Sequence, residues 1–223
     1  MMRLAISTLA LLLASGTALA QDKPAAGQQS SGQQSAAAGQ AAEPGPAELI
    51  EESAQEMLDE LEKNRAEYRK DPAKVRALVD RVLLPHFDTQ YSARLVLGKH
   101  WRTAQPDQRE RFVDAFYNSL LDNYGAALVE FTGDRMRVLP VRVAPDAERA
   151  VVRTEVRRNN GTRIPVNYSL RRTPQGWKAW DVSIEGISYV KSFREDFGSE
   201  IEQKGLDVVI RRLESGEKPR SRA

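Results

Sequence analysis

Apolar residues recur at helical spacing through the first part of the chain, alternate with polar ones through the middle, and return to helical spacing near the end. Pro46 suits the first position of a helix, and Ile50, Ala54, Met57, Leu58 and Leu61 then share one face as far as about Arg69. Asp71-Pro72 is an N-cap followed by proline, and Val75, Leu78, Val79, Val82 and Leu83 continue it as a second helix until Pro85 interrupts. A third helix carries Tyr91, Leu95 and Val96 and ends at Gly98. Pro106 opens the longest helix, with Phe112, Phe116, Leu120, Tyr124, Leu128 and Phe131 as its apolar stripe, Val113 and Leu121 thickening it, and Gly133 as its stop. The stripe reads either as a core face or as the wall of an apolar cavity; its periodicity alone favours the core.

Beyond Gly133 the alternation predicts four strands, near 136–143, 149–158, 162–172 and 177–184. Asn159-Asn160-Gly161 and Pro174-Gln175-Gly176 are the turns between them. Ile164, Val166, Tyr168 and Leu170 oppose Arg163, Pro165, Asn167 and Ser169, and Val152 and Val156 oppose Arg153, Glu155 and Arg157. Trp180, Val182 and Ile184 extend the apolar side. Helix returns after Ser188 through Val190, Phe193, Phe197 and Ile201, with Gly205 ending it and Asp207 expected to cap a last short helix. The expected fold is α+β: a curved antiparallel four-stranded sheet, one face wet and the other wrapped by helices from both its N- and C-terminal sides.

The N-terminus changes the domain count. Residues 1–20 carry Arg3, a short apolar run from Leu4 to Leu13 and an Ala18-Leu19-Ala20 cleavage pattern, which together predict a cleavable secretory signal peptide. The run is shorter than the roughly 18–20 residues a spanning anchor needs. Residues 21–46 are Gln-, Gly-, Ser-, Pro- and Ala-rich and read as a disordered linker, unable to bury enough apolar surface to offset the entropy of ordering. One folded domain over 47–215 and a polar tail over 216–223 remain. The prediction is an exported protein without a membrane span.

Composition removes several kinds of chemistry. The 223 residues include no cysteine and two histidines, which excludes a disulfide framework, a thiolate metal site and a histidine-rich one. The sequence contains no Gly-x-Ser-x-Gly elbow, no glycine-rich phosphate loop and no His-Glu-x-x-His. The acids Glu48, Glu51, Glu52, Glu56, Asp59, Glu60 and Glu62 read as a solvated helix face. Asp181, beside Trp180, is the one acid placed to be a general base, although a carboxylate bonded to a neighbouring amide or arginine is the plainer reading; His86 and His100 flank helix ends and read as structural. The formal charge of +2 argues against a dedicated nucleic-acid binder. It also conceals a split: ten arginines, no lysine and three acids lie between Arg135 and Arg172. Arg153, Arg157, Arg163 and Arg171 are therefore candidates for docking an anionic headgroup or an acidic partner; a solvated sheet face is the alternative.

The segment from Leu83, LLPHFDTQYSARLVLGKHWRTAQPDQRERFVDAFYNSLLDNYGAAL, resembles the MlaC/Ttg2D family of periplasmic phospholipid-binding proteins of the Mla lipid-asymmetry system, the toluene-tolerance family. Gly176-Trp177, Trp180-Asp181-Val182, Glu185-Gly186-Ile187-Ser188 and Lys204-Gly205-Leu206-Asp207 extend the match. One departure is Gln105, a poor N-cap where the family often has Thr or Ser, with Thr103 a possible substitute. The resemblance implies an apolar cavity that takes a phospholipid's acyl chains and leaves the headgroup at the mouth. On this reading the cavity is lined by Tyr91, Val96, Phe116, Val166, Tyr168, Trp180, Val182, Ile187, Tyr189 and Val190. It further implies a monomeric, non-enzymatic shuttle without cofactor, its cargo a phospholipid. The partners would be an outer-membrane lipoprotein–porin complex and an inner-membrane ABC transporter complex with its ring of substrate-binding domains. A small cavity enzyme using Asp181 or His100, and a cavity-free adaptor with a filled core, are the competing readings.

Overall fold

The computed structural model describes residues 43–130, 136–157 and 160–216. The expected signal peptide, most of the linker, Phe131, Gly133, Asn159 and all of the tail after Gly216 lie outside the described residues. Among the described residues, no helix is long and apolar enough to cross a membrane.

Among the described residues five α-helices and one 3-10 turn precede the sheet. α1 (Pro46–Tyr68) begins on proline, whose missing N–H costs nothing at a helix start. α2 (Pro72–Val82) is capped by Asp71, whose side chain accepts from Ala73 N–H. Pro85 breaks this helix into a single 3-10 turn, Leu84–His86. α3 (Thr89–Leu97) is capped by Asp88 and stops at Gly98, which takes a positive φ of 54°. A short α4 (His100–Thr103) leads into α5 (Pro106–Val129). Thr103 does not cap α5: its hydroxyl donates to the His100 carbonyl, and the Gln108 side chain instead reaches back to accept from Gln105 N–H.

The sheet is an antiparallel meander of β1 (Met136–Val138), β2 (Arg149–Arg157), β3 (Arg163–Thr173), β4 (Gly176–Ile184) and β5 (Ile187–Ser188). Among the described residues it has five strands where four were expected. The fifth arises because Glu185 and Gly186 both take positive φ, 52° and 84°, and fold the chain straight back so that Ile187 pairs with Ile184. β1 is shorter than expected. Leu139 N–H makes the last bond to β2, on the Arg153 carbonyl, and Pro140 then has no N–H to donate.

Register divides the sheet into two faces. Val152 lies opposite Tyr168, Thr154 opposite Val166 and Val156 opposite Ile164; Tyr168 and Val166 in turn face Val182 and Ile184. These form the apolar face, as the alternation predicted. The other face presents Arg149, Val151, Arg153, Glu155 and Arg157 beside Arg163, Pro165, Asn167, Ser169 and Arg171. At Trp180 the β3–β4 register slips: Ser169 pairs with Asp181 but Leu170 with Ala179, leaving Trp180 as the extra residue of a β-bulge.

α6 (Tyr189–Lys204) and α7 (Leu206–Glu214) follow the sheet. Gly205 precedes α7 in a conformation of positive φ, and Asp207 sits within the first turn of α7 rather than capping it. The helices are not confined to one face of the sheet. Leu49 and Ile50 of α1 pack on the apolar face with Val152, Leu170, Trp177 and Ala179. α3 and α6 instead lie along β4 and β5, and Asp88 reaches Arg171 on the polar face at 2.7 Å. The main helical core joins α3, α5, α6 and α7, with Phe112, Phe116, Phe193 and Phe197 in mutual ring contact at centroid separations of 5.2–5.8 Å. A second core joins α1, α2 and the end of α5 through Leu61, Leu78 and Val129.

Candidate functional site

Nine of the ten residues expected to line a cavity fall into three groups, with Trp180 shared by two of them, and Ile187 lies outside all three. Val166, Tyr168 and Val182 are cross-strand neighbours on the apolar face, joined there by Ile184, which the sequence reading left out of the set. Burial pushes the Tyr168 phenol above its usual range, so this group carries no charge near neutral pH. Val96, Phe116 and Val190 belong to the helical core, with Trp180 and Tyr189 packed against it. Phe116 is locked among Phe112, Phe193 and Phe197; it is therefore a core residue first.

Tyr91 and Trp180 form the third group. Their rings meet edge to face at 5.7 Å. Sequence positions 91 and 180 are brought together by the segment between the 3-10 turn and α3. Phe87 bridges to Ala179, Asp88 N–H donates to the Ala179 carbonyl at 2.7 Å, and Ser92 Oγ donates to the Trp180 carbonyl at 2.5 Å. Asp88 thereby caps α3 with one carboxylate oxygen and takes Arg171 Nε with the other. The Arg171 guanidinium also lies over the Tyr91 ring, 4.4 Å from its centroid. Arg171 thus braces Tyr91, and sequence alone offered no signal for this because the partners are 80 and 83 residues away. The indole N–H of Trp180 is buried with no acceptor among the described residues.

Ile187 stands apart. It is 51% exposed, at the tip of the β4–β5 hairpin, where the backward fold at Glu185-Gly186 holds it out. Tyr189 follows on the first turn of α6 and meets Tyr124 of α5 edge to face at 6.3 Å, with Phe193 behind it at 6.0 Å. Tyr124 is itself 39% exposed, and burial with the neighbouring Tyr189 raises its phenol pKa. Ile187 and Tyr124 are exposed, and Tyr189, half-buried, packs against the helical core beside Tyr124.

Asp181 has a defined task. Its Oδ1 accepts from Val190 N–H at 3.0 Å and its Oδ2 from Ser188 Oγ at 2.6 Å, while Ser188 Oγ accepts from Lys191 N–H. Both oxygens are spent fastening the start of α6 to β4, so the carboxylate is a helix anchor and not a free base. His100 opens α4, and its Nε2 is buried without a partner among the described residues.

Of the four arginines expected to dock an anion, Arg163 is paired with Glu155 at 2.8 Å and Arg171 with Asp88. Arg153 and Arg157 are exposed on the same polar face. Four surface concavities of 320–400 Å³ are bounded by other residues than the ten lining candidates.

Comparison with known proteins places this geometry. Residues 51–215 match the family model described as MlaC protein. The chain is 32% identical over 164 residues to the toluene tolerance protein ttg2D of Pseudomonas putida, covering 73% of this chain and 76% of that protein. It is 22% identical over 176 residues to the intermembrane phospholipid transport system binding protein MlaC of Haemophilus influenzae, covering 78% and 82%. A solved phospholipid-binding protein from Ralstonia solanacearum, determined in complex with a phospholipid, superposes with a TM-score of 0.70 at 25% identity, over 76% of this chain and 94% of that one. With the family model spanning the described domain almost end to end, this chain belongs to the MlaC family.

Proposed function

We propose that this protein is an exported periplasmic phospholipid carrier. It holds the acyl chains in an apolar cavity bounded by the sheet face at Val166, Tyr168 and Val182 and by the helical core at Val96, Phe116 and Val190. The headgroup stays near the opening beside Ile187 and Tyr189. It acts as a binding protein and not as an enzyme, passing cargo between an outer-membrane lipoprotein–porin complex and an inner-membrane ABC transporter complex. The observation that carries the reading is the phospholipid held by a solved protein of the same fold. The role of Asp181 as a helix anchor weighs against the enzymatic alternative.

Energetics require close cover of the cargo. About 30 methylenes at roughly 0.8 kcal/mol each place about 24 kcal/mol of hydrophobic free energy at stake when two chains leave a bilayer. A bilayer offers the same free energy, so carrier and membrane are near balance and direction comes from the partners.

The test is Ile187→Glu. Its side chain is half exposed, so the charge leaves the core intact while placing a carboxylate at the proposed mouth. Organic extraction and mass spectrometry of the purified variant should show at least a several-fold loss of co-purifying phospholipid, with an unchanged circular dichroism spectrum. Undiminished lipid removes Ile187 from the mouth. A natively purified wild type that carries no lipid favours the adaptor reading, for which the tightly packed phenylalanine cluster is the supporting observation.

A further inference from the structure

After Leu139 the chain leaves the edge of β2 and returns only at Arg149. Between this excursion and the strand edge lies a concavity of 380 Å³. Arg142 borders it from the loop, and Arg149 and Arg153 from β2, with Val151 between them. Among the described residues no carboxylate lines it. Arg149 donates to the Tyr91 hydroxyl at 3.2 Å. Among the described residues neither Arg142 nor Arg153 has an ion-pair partner, in contrast to Arg163 and Arg171. Val151 lies two residues before Arg153, whose carbonyl takes Leu139 N–H, so the Val151 backbone N–H points to the same edge, which the chain leaves open beyond Leu139. Its side chain is 47% exposed. The nearby acids Asp146 and Glu148 belong to the same loop but do not border the concavity.

Guanidinium forks and a backbone N–H around one hollow suit the non-bridging oxygens of a phosphate, and an exposed aliphatic side chain among them suits the acyl boundary beneath a headgroup layer. Charge on the rest of the domain acts in the same sense. α1, with exposed Glu48, Glu51, Glu52, Glu56, Asp59 and Glu62, packs on the opposite face of the sheet. An anionic plane would attract the arginine face and repel the α1 side, fixing the orientation of approach.

We propose that Arg142, Arg149 and Arg153, with Val151, form a docking surface for an anionic phospholipid bilayer, seating headgroup phosphates in the hollow at the open β2 edge. The surface meets the lining candidates where Arg149 bonds Tyr91, while Arg142, Val151 and Arg153 belong to none of the three groups; it deepens the carrier reading by giving the protein its own contact with lipid.

The experiment is co-sedimentation of the full folded chain with vesicles of equal phosphatidylglycerol and phosphatidylethanolamine, against vesicles of pure phosphatidylcholine. Each surface arginine contributes about a fivefold gain in partitioning to an anionic membrane. Arg142→Gln with Arg153→Gln should therefore lower binding about twenty-five-fold, Arg142→Lys with Arg153→Lys should largely retain it, and high salt should abolish it. Ile187→Glu should bind vesicles as wild type, and the glutamine double variant should keep its co-purifying lipid. Failure of docking and failure of cargo binding are thus read separately. Wild-type binding by the glutamine double variant, or equal binding to phosphatidylcholine, would overturn the proposal. So would displacement by millimolar inorganic phosphate at matched ionic strength, or preference for polyglutamate over the anionic vesicles.

Discussion

Asp181 shows how one side chain separates two accounts of the same sequence. A carboxylate beside a tryptophan in a cavity fold is a reasonable general base until its contacts are known. Here both oxygens are committed, one to Val190 N–H and one to Ser188 Oγ. Asp181→Ala should therefore lower stability by about 1–3 kcal/mol, the cost of orphaning buried partners at a helix start. Asp181→Asn should cost less, since an amide oxygen still accepts from Val190 N–H. Urea denaturation followed by circular dichroism measures both, and co-purifying lipid should be unchanged in each. Ser188 was legible as a helix start, but its bond to Asp181 was not, because it depends on the β-bulge at Trp180. A regular register would have paired Leu170 with Trp180 and turned the following residues the other way.

The elements were legible where proline, glycine and aspartate punctuate the chain. Pro46, Pro72 and Pro106 each open a helix, Asp71 caps one, and Gly98 and Gly205 each end one; the cap at Asp88 had not been read, and Asp207, read as a cap, is not one. What failed were elements decided by non-local pairing. β5 is two residues long, too short for alternation to register, and β1 stops early because Pro140 has no N–H for the ladder. The junction of α6 and α7 carries a pH-dependent tie. Glu200 meets the Arg212 guanidinium at 2.8 and 3.1 Å and Lys204 at 3.4 Å. Burial raises its pKa, but the bonds to Arg212 and Lys204 outweigh burial and hold the carboxyl below its ordinary value. A depressed carboxylate adds stability that is full above the unfolded-state pKa and is lost as pH falls through the folded one. Glu200→Gln should thus cost about 1–3 kcal/mol at neutral pH. It should cost progressively less below about pH 4.5, as the wild type gives up the same contribution. Chemical denaturation at pH 7, 5, 4 and 3 measures the convergence.

For the whole molecule, the α+β class, the chain order of helices and strands, and the apolar face of β3 followed from periodicity, and the family followed from the Leu83 segment. The grouping of the candidate site did not follow. Nothing in the spacing of Phe116 distinguishes a cavity wall from the ring cluster it joins, and nothing local ties Tyr91 to Trp180 and Arg171. With no cysteine in the sequence, no disulfide holds this domain. A cargo that binds only the folded state then adds its own stability by mass action. Stripping lipid with detergent and gel filtration should lower stability by about 2.7 kcal/mol if lipid is normally present at a hundredfold its dissociation constant. Differential scanning calorimetry before and after adding phospholipid back would show the fall and its reversal.

The basic charge of β2 and β3 is built from arginine alone, with no lysine between Arg135 and Arg172. These two strands have no side-chain primary amine; the nearest on the same face is Lys178 of β4, across from Arg171. Amine-directed cross-linkers and acylating labels will pass over it, and a protease specific for lysine will leave the segment as one long peptide. An interaction map drawn with such reagents would show contacts at Lys178 and Lys191 and a blank across β2 and β3. Dicarbonyl reagents that condense with guanidinium groups would report the same face directly.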